Sequence, residues 1–174
     1  RFAYLPAMKM LAGYRVNHNR GMFVDILKVT DTGFEIQRTI NIESSATAPL
    51  MDMVLTSFDN DNAMLAMSFA QSGTVLMMDP ADGTKVAQIN LPVQMVTQLS
   101  ESQSGTSGLL MWCGSQHGNS NVDTVGLIDL KSGKDLGLLT FTGEFEEIHP
   151  SRIVVRPQEH NQPQRQIGNA FISH

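Results

Sequence analysis

The chain has 174 residues, of which 41% are hydrophobic and 17% charged, and this balance excludes a disordered chain. Its net charge of −5, from 12 basic and 17 acidic residues, leaves no basic excess to attract nucleic acid or an anionic membrane surface. The single cysteine excludes an internal disulfide framework and favours a cytoplasmic or other intracellular compartment.

A β-hairpin pattern recurs along the chain at a fixed interval. The turn glycines Gly33, Gly83 and Gly133 are 50 residues apart, and each lies between two apolar, strand-like runs. Glycine adopts the positive φ that such turns need, and a neighbouring Asp or Ser bonds the backbone nearby. The residues three positions after these glycines are also apolar: Ile36, Val86 and Leu136. The pattern predicts a repeated hairpin in units of 50 residues.

Further strands precede each hairpin. In chain order, the sequence predicts them at 8–14, 51–58, 63–69, 93–99, 108–114, 152–156 and 167–172. In the first unit only one strand upstream of the hairpin is clear. Four strands per unit, without any long stretch of helical apolar period, predict an all-β fold of four-stranded antiparallel β-propeller blades. A β-sandwich and a parallel β-helix are the competing architectures.

The predicted blades cover approximately residues 1–43, 47–92, 93–142 and 146–174, and the last of them is incomplete. This is about three and a half blades, whereas a closed propeller ring usually has about four to eight. An open arc would expose blade faces and unpaired sheet edges to water. We therefore expect part of an incomplete or larger propeller, with the remaining blades in the same polypeptide or in another chain.

The second unit resembles a degenerate WD repeat. The segments that are similar to the family's first strand with its polar turn, its second strand and its third strand are 57–62, 64–68 and 73–79. Where the family often ends the third strand in Trp-Asp, this unit has Met78 and Asp79. The family's Gly-His dipeptide is absent, so the Trp and His of its hydrogen-bonded cluster are missing. The resemblance covers about three quarters of the chain and implies a propeller that contacts other proteins.

Residues with catalytic or ligand-binding chemistry do not form a recognisable pattern in this sequence. The sequence has no Gly-x-Ser-x-Gly elbow, no His-Glu-x-x-His pair and no phosphate loop with its lysine. None of the five histidines has a partner at short ligand spacing, so neither a metal nor a cofactor is expected. Cys113 lies in an apolar run and is predicted to be a buried, inert thiol, and the eleven methionines are predicted to fill the core.

Loops at one end of the predicted blades form the candidate partner-binding face. The loop between the second and third strands is long in the first unit, 15–21, and in the third, 115–123. In a propeller this end also carries the connections between blades, here 43–49 and 142–150, and loops on a rigid scaffold tend to carry function. The predicted contributors are Arg15, His18, Arg20, His117, Glu144, Glu146 and His149. Tolerated surface insertions are the alternative interpretation.

These patterns favour a non-enzymatic scaffold that mediates protein–protein interaction in a multi-subunit assembly. One alternative is a propeller enzyme or cofactor binder whose site is completed by further blades, because the turns 79–84 and 129–134 are similar to those of quinoprotein-type propellers. Another is a structural module of an extracellular or periplasmic protein. Protein partners are expected, whereas a nucleic-acid partner is not, and the apolar runs of about eight residues are too short to span a membrane.

Overall fold

A computed structural model describes residues 1–17, 21–42, 48–57, 62–101, 108–118, 122, 124–140, 143–149, 152–157 and 165–168. Within these residues the chain is all-β apart from one 3-10 turn, Pro6–Met8. Every ladder between the described strands is antiparallel, which excludes a parallel β-helix. No helix among these residues is long and apolar enough to cross a membrane.

The strands form successive sheets in which neighbours in sequence are neighbours in space. The first sheet contains β1 (Phe2–Leu5), β2 (Met10–Asn17), β3 (Gly21–Thr30) and β4 (Gly33–Ile42). The second contains β5 (Leu50–Ser57), β6 (Ala63–Phe69), β7 (Thr74–Met78) and β8 (Lys85–Asn90). The third contains β9 (Met95–Glu101), β10 (Leu109–Ser115), β11 (Thr124–Asp129) and β12 (Lys134–Thr140). The fourth contains β13 (Gly143–His149), β14 (Arg152–Pro157) and β15 (Arg165–Gly168).

The last hairpins of the second and third sheets have the same turn geometry and the same turn hydrogen bonds. Gly83 has a φ of 80° and Gly133 a φ of 65°, a region that L-residues with side chains rarely adopt. The amide of Gly83 donates to the Asp79 carbonyl, and the amide of Gly133 donates to the Asp129 carbonyl, both at 2.8 Å. Each aspartate carboxylate also accepts the amide two residues further on. The predicted hairpins are therefore present at these two turns.

A β-bulge follows each hairpin and fixes which residues are equivalent in the three sheets. The unpaired residue is Val86 in the second sheet and Leu136 in the third, which agrees with the 50-residue spacing. In the first sheet it is Gln37, and Ile36 is paired. The first hairpin is two residues longer than the others. For this reason the bulge residues Gln37 and Val86 are one residue closer in sequence than the 50-residue spacing predicts. The bulge residue is on the fourth strand of each of these three sheets. The third-strand residues that pair on the turn side of the bulge are Leu27, Met78 and Ile128.

The first three sheets pack face to face, and β6 shows how the strand period produces this stacking. All seven of its residues are buried, because side chains alternate between the two faces of a strand. Leu65 and Met67 pack into the core shared with the first sheet, whereas Met64 and Ala66 pack into the core shared with the third. Eight of the eleven methionines are buried, which confirms their predicted role in the core.

The innermost strands of consecutive sheets are neighbours, since β1 contacts β5 and β5 contacts β9. Asp52 on β5 ties them together. Its Oδ1 accepts a hydrogen bond from Arg1 Nη1 at 2.9 Å, and its Oδ2 accepts one from the Leu99 amide on β9 at 2.8 Å. Propellers place their innermost strands in this way around a central axis. The all-β fold of four-stranded antiparallel sheets is confirmed, in an arrangement consistent with propeller blades, and the described sheets do not close a ring.

Two strands lie where none was predicted. The first, β1, occupies Phe2–Leu5. The second, β13, occupies Gly143–His149, within the segment that the sequence predicts to be a connection between blades. Phe145 pairs with Val155 and Glu147 with Val154, so that Glu146 is a bulge residue. The extra residue breaks the alternation of apolar and polar side chains, and for this reason the segment did not have the pattern of a strand.

Candidate protein-interaction surface

One face of the second sheet and one face of the third are directed toward the preceding sheet in the chain. The second sheet presents Met53, Leu65, Met67 and Met78 to the core shared with the first sheet. The third sheet presents Leu99, Leu110, Trp112 and Ile128 to the core shared with the second. The corresponding face of the first sheet has no described sheet before it, so its residues can be identified from strand pairing alone.

Strand register assigns the equivalent residues in the first sheet. Leu11 pairs with Leu27, as Leu65 pairs with Met78 and Leu110 with Ile128. Phe2 pairs with Gly13, as Met53 pairs with Met67 and Leu99 with Trp112. A leucine therefore occupies the same position of the second strand in all three sheets. We call the resulting set the first-sheet outer face: Phe2, Tyr4, Leu11, Gly13, Arg15, Phe23, Asp25 and Leu27.

The first-sheet outer face is exposed where its equivalents are buried. The side chain of Phe2 is 76% exposed, whereas Met53 and Leu99 at the same repeat position are 6% and 5% exposed. Tyr4, two residues along β1, is 50% exposed. Large apolar side chains that are both adjacent and exposed are rare on the surface of a monomeric protein. The first sheet thus exposes the face that the next two sheets bury.

Phe2 partly fills the space left by a missing side chain. A Cβ placed on Gly13 would lie 3.1 Å from Cε1 of the Phe2 ring, so the ring lies across the glycine. The other sheets have Met67 and Trp112 at this position, and both are fully buried. The aromatic ring covers the backbone of its own sheet but stays open to solvent on its far side.

A polar cluster lies on the same face, around Arg15. Arg15 Nε donates to Asp25 Oδ2 at 2.6 Å, and Arg15 Nη2 donates to Asp25 Oδ1 at 3.2 Å. Thr39 Oγ1 donates to the same Oδ1 at 2.6 Å, and the Arg15 guanidinium lies 4.8 Å from the centre of the Phe23 ring. The hydrogen bond from Arg15 outweighs desolvation and holds the pKa of Asp25 below its usual value, with a further contribution from Thr39.

The charges of the first-sheet outer face therefore cancel within the face. Arg15 and Asp25 are its two charged members, and they form a two-point ion pair with each other. A charged partner would have to compete with this pair. The arrangement instead suits a surface that is mostly apolar and can cover Phe2, Tyr4 and Leu11.

The structure places two of the residues that sequence patterns grouped into a partner-binding face on the first and the third sheet. Arg15 was expected in a loop, but it lies on β2, because the ladder with β3 continues as far as Asn17 and Gly21. His117 is exposed in the turn after β10, where its amide donates to Ser115 Oγ at 3.2 Å. The second sheet lies between these two positions.

The other predicted contributors lie on β13 or outside the described residues. His18 and Arg20 lie outside the described residues. Glu144, Glu146 and His149 belong to β13 rather than to a loop, and Glu144 and His149 stand near opposite ends of that strand. Phe2 and Tyr4 were missed because β1 was not recognised. Their alternation with Ala3 and Leu5 was the available signal, but four residues give too short a pattern.

Cys113 is free and buried on β10, as predicted. Desolvation, helped by the negative charge of Asp52, raises the pKa of its thiol to about 12. A thiol of this kind is not a nucleophile near neutral pH. Among the residues that the structure describes, no three His, Cys, Asp or Glu side chains come together as a metal site.

Comparison with known proteins leaves the geometry as the main source of evidence. No protein-family model matches the sequence. A search of curated proteins likewise gives no match. Functional inference for this chain therefore depends on the exposed face of the first sheet and on the repeat that explains it.

Proposed function

We propose that the chain is a non-enzymatic scaffold of WD-repeat-like β-propeller blades, whose first-sheet outer face docks a four-stranded β-sheet of another protein subunit. One observation carries the proposal. Phe2 is 76% exposed at a repeat position where Met53 and Leu99 are 6% and 5% exposed under a preceding sheet.

The chain itself provides two examples of the proposed contact. In both, a four-stranded antiparallel sheet covers the equivalent face through apolar side chains. Continuing the same stacking by one sheet would bury Phe2, Tyr4 and Leu11. Burial of one large apolar side chain contributes about 1.5–3 kcal/mol, so the three together would favour association substantially. The self-neutralised pair of Arg15 and Asp25 favours an apolar sheet over a charged surface as the occupant.

Thiol accessibility tests the docking surface in the natural setting. Tyr4→Cys introduces a thiol on the face, and the native Cys113 stays silent because it is buried. Labelling by N-ethylmaleimide is compared between the purified chain and intact cells that make the protein, followed by size fractionation. We expect rapid labelling in the purified chain and protection of at least about tenfold in cells, within a particle larger than the polypeptide itself.

Val86→Cys is the matched control, since Val86 is 52% exposed on β8 and lies outside the docking face. It should react equally fast in both settings. Equal labelling of the Tyr4→Cys protein in both settings would show that nothing covers the face. Protection in a particle of the polypeptide's own size, or protection that grows with the concentration of the purified chain, would assign the occupant to the same polypeptide or to a second copy. Each of these results would overturn the proposal.

A further inference from the structure

A half-open cleft lies at the end of the first sheet opposite the β2–β3 connection. Its volume is about 340 Å³, and it spans the gap between the first sheet and the β7–β8 turn of the second. The residues that line it are Met8, Lys9, Met10, Ile26, Leu27, Lys28, Gln37, Arg38, Pro80 and Ala81. It is separate from the exposed aromatic pair Phe2 and Tyr4.

Three basic side chains meet in this cleft although the chain as a whole has a net charge of −5. They are Lys9, Lys28 and Arg38, and each comes from a different part of the sheet. Lys28 pairs with Met10 across the β2–β3 ladder, and Arg38 pairs with Ile26 across the β3–β4 ladder. The ladders therefore bring cations that are distant in sequence to one end of the sheet.

The backbone fixes the first of these cations. Lys9 has a left-handed φ of 50°, and its carbonyl accepts the amide of Val29 at 2.7 Å. A left-handed conformation at a residue other than glycine is costly unless the surroundings hold it. The bond to β3 keeps Lys9 beside Lys28.

The third cation is fixed by the second sheet. Arg38 Nη1 donates to the backbone carbonyl of Asp82 at 3.2 Å. The Asp82 carboxylate is occupied in its own turn, where it accepts the amide of Thr84 at 2.8 Å and its hydroxyl at 2.7 Å. Among the described residues, no carboxylate lies within salt-bridge distance of Lys9, Lys28 or Arg38. Arg38 also interacts electrostatically with the Asp82 carboxylate, and Glu35 pairs with Lys28 across the β3–β4 ladder. Neither acid lines the cleft, whose lining carries three positive charges and no carboxylate.

The rest of the lining is aliphatic. Met8 and Met10 are half-buried along the wall of the first sheet, and Ile26 is buried beside them. No aromatic side chain that would stack on a base lines the cleft, nor does the glycine-rich backbone that would cradle a phosphate. Cations beside methionine side chains match a ligand that carries both carboxylates and aliphatic groups.

We infer that the cleft binds an extended acidic peptide segment of a partner protein, in which aliphatic side chains alternate with Asp or Glu. The carboxylates pair with Lys9, Lys28 and Arg38, and an aliphatic side chain packs on Met8 and Met10. This inference rests on the proposed function only in taking the partner to be a protein.

Fluorescence anisotropy with a dye-labelled peptide, acetyl-Glu-Leu-Asp-Leu-Glu, tests the inference. A peptide with Gln and Asn in place of the acids is the neutral comparison. We expect the acidic peptide to bind and the neutral one to bind at least about tenfold more weakly, with affinity falling as salt is added. Each of Lys9→Gln, Lys28→Gln and Arg38→Gln should weaken the acidic peptide about two- to fivefold.

Lys131→Gln removes the same charge from the exposed β11–β12 turn and should leave the affinity nearly unchanged. An equal loss in this control would show non-specific charge attraction. Equal affinity for the neutral peptide, no binding at millimolar concentration, or displacement by an equal concentration of pyrophosphate would likewise overturn the inference. These outcomes do not depend on thiol labelling at Tyr4. The proposals for the cleft and for the first-sheet outer face are therefore tested separately.

Discussion

At the scale of single residues, small side chains decide how closely the sheets can pack. Gly126 on β11 is one of them. A Cβ there would lie 2.5 Å from Cε2 of Trp112, whose indole is fully buried between the second and third sheets. The equivalent position in the first sheet holds Asp25, and Gly13 next to it is covered mainly by the exposed ring of Phe2. The same fold therefore tolerates very different residues depending on what covers the face.

Gly126→Ala should destabilise the chain by about 1–3 kcal/mol, because the methyl group would force the buried indole or the backbone to move. Gly13→Ala is the matched control. Its methyl group would meet the Phe2 ring at 3.1 Å, and this ring can move because it is exposed. Urea unfolding of both variants gives the difference. A loss for Gly126→Ala no larger than that for Gly13→Ala would contradict the packing described for Trp112.

The ion pair between Arg15 and Asp25 on the first-sheet outer face predicts that the stability of the chain falls in acid. The pKa of Asp25 in the folded chain lies below its ordinary value, so the carboxylate stabilises the fold above the unfolded pKa of about 4. That stability is lost as the pH falls through the lowered pKa, because the folded state must then take up a proton. The urea midpoint should drop in this acid range for the native chain.

Asp25→Asn is the variant that isolates this effect. It removes the titrating group while keeping the shape, so its urea midpoint should fall less steeply than that of the native chain over the same range. The same acid dependence in both proteins would show that Asp25 does not contribute.

At the scale of strands, the sequence predicted the hairpins well and the sheet edges poorly. Gly83 and Gly133 identified their turns because a backbone position with a positive φ favours glycine. Strands β1 and β13 were missed, the first because it is short and the second because Glu146 interrupts its alternation. Local patterns carry turn chemistry, whereas bulges depend on the partner strand, which a single sequence does not reveal.

The candidate surface was only partly predictable for the same reason. Arg15 was singled out, but as a loop residue, because the length of β2 depends on its ladder with β3. Exposure of Phe2 could not be predicted, since it becomes unusual only when register makes it equivalent to Met53 and Leu99. Which residues are buried at equivalent positions depends on how the sheets stack, and a single sequence does not reveal this.

Three equivalent leucines provide a direct comparison between covered and uncovered sheets. Leu65 and Leu110 are fully buried, whereas Leu11 is half-buried. Leu65→Ala and Leu110→Ala should each cost about 2–5 kcal/mol of unfolding free energy, because each would leave a cavity between two sheets. Leu11→Ala should cost less than half as much in the isolated chain. Chemical denaturation of the three variants measures this, and equal losses would contradict the assignment of Leu11 to an uncovered face.

At the scale of the whole molecule, the sheets are joined by apolar cores and by one shared carboxylate. Asp52 reaches from β5 to Arg1 and to the Leu99 amide, so it links three consecutive sheets near their innermost strands. The carboxylate is 16% exposed and Arg1 is 53% exposed. The bond to the Leu99 amide is therefore expected to matter more for stability than the ion pair with Arg1.

Asp52→Ala should lower the unfolding free energy by about 1–3 kcal/mol, because the Leu99 amide would lose its acceptor in a partly buried place. Asp52→Asn retains an acceptor oxygen and should recover most of that loss. Thermal unfolding of the two variants and of Arg1→Gln separates the two bonds. If Arg1→Gln were as harmful as Asp52→Ala, the ion pair and not the amide would be the important contact.

Stacking in one direction gives the molecule two unlike surfaces: a bare apolar face on the first sheet and a basic cleft at the end of that sheet. Both fit a scaffold that holds other proteins. In this proposal the first-sheet outer face is an interface of the same kind as the two inside the chain.

A structure of the natural assembly at side-chain resolution tests this claim most directly. The exposure of Phe2 should fall from 76% to a value near the 6% and 5% of Met53 and Leu99, beneath a four-stranded sheet of another subunit. A natural assembly in which Phe2 and Tyr4 remain in contact with water would contradict it.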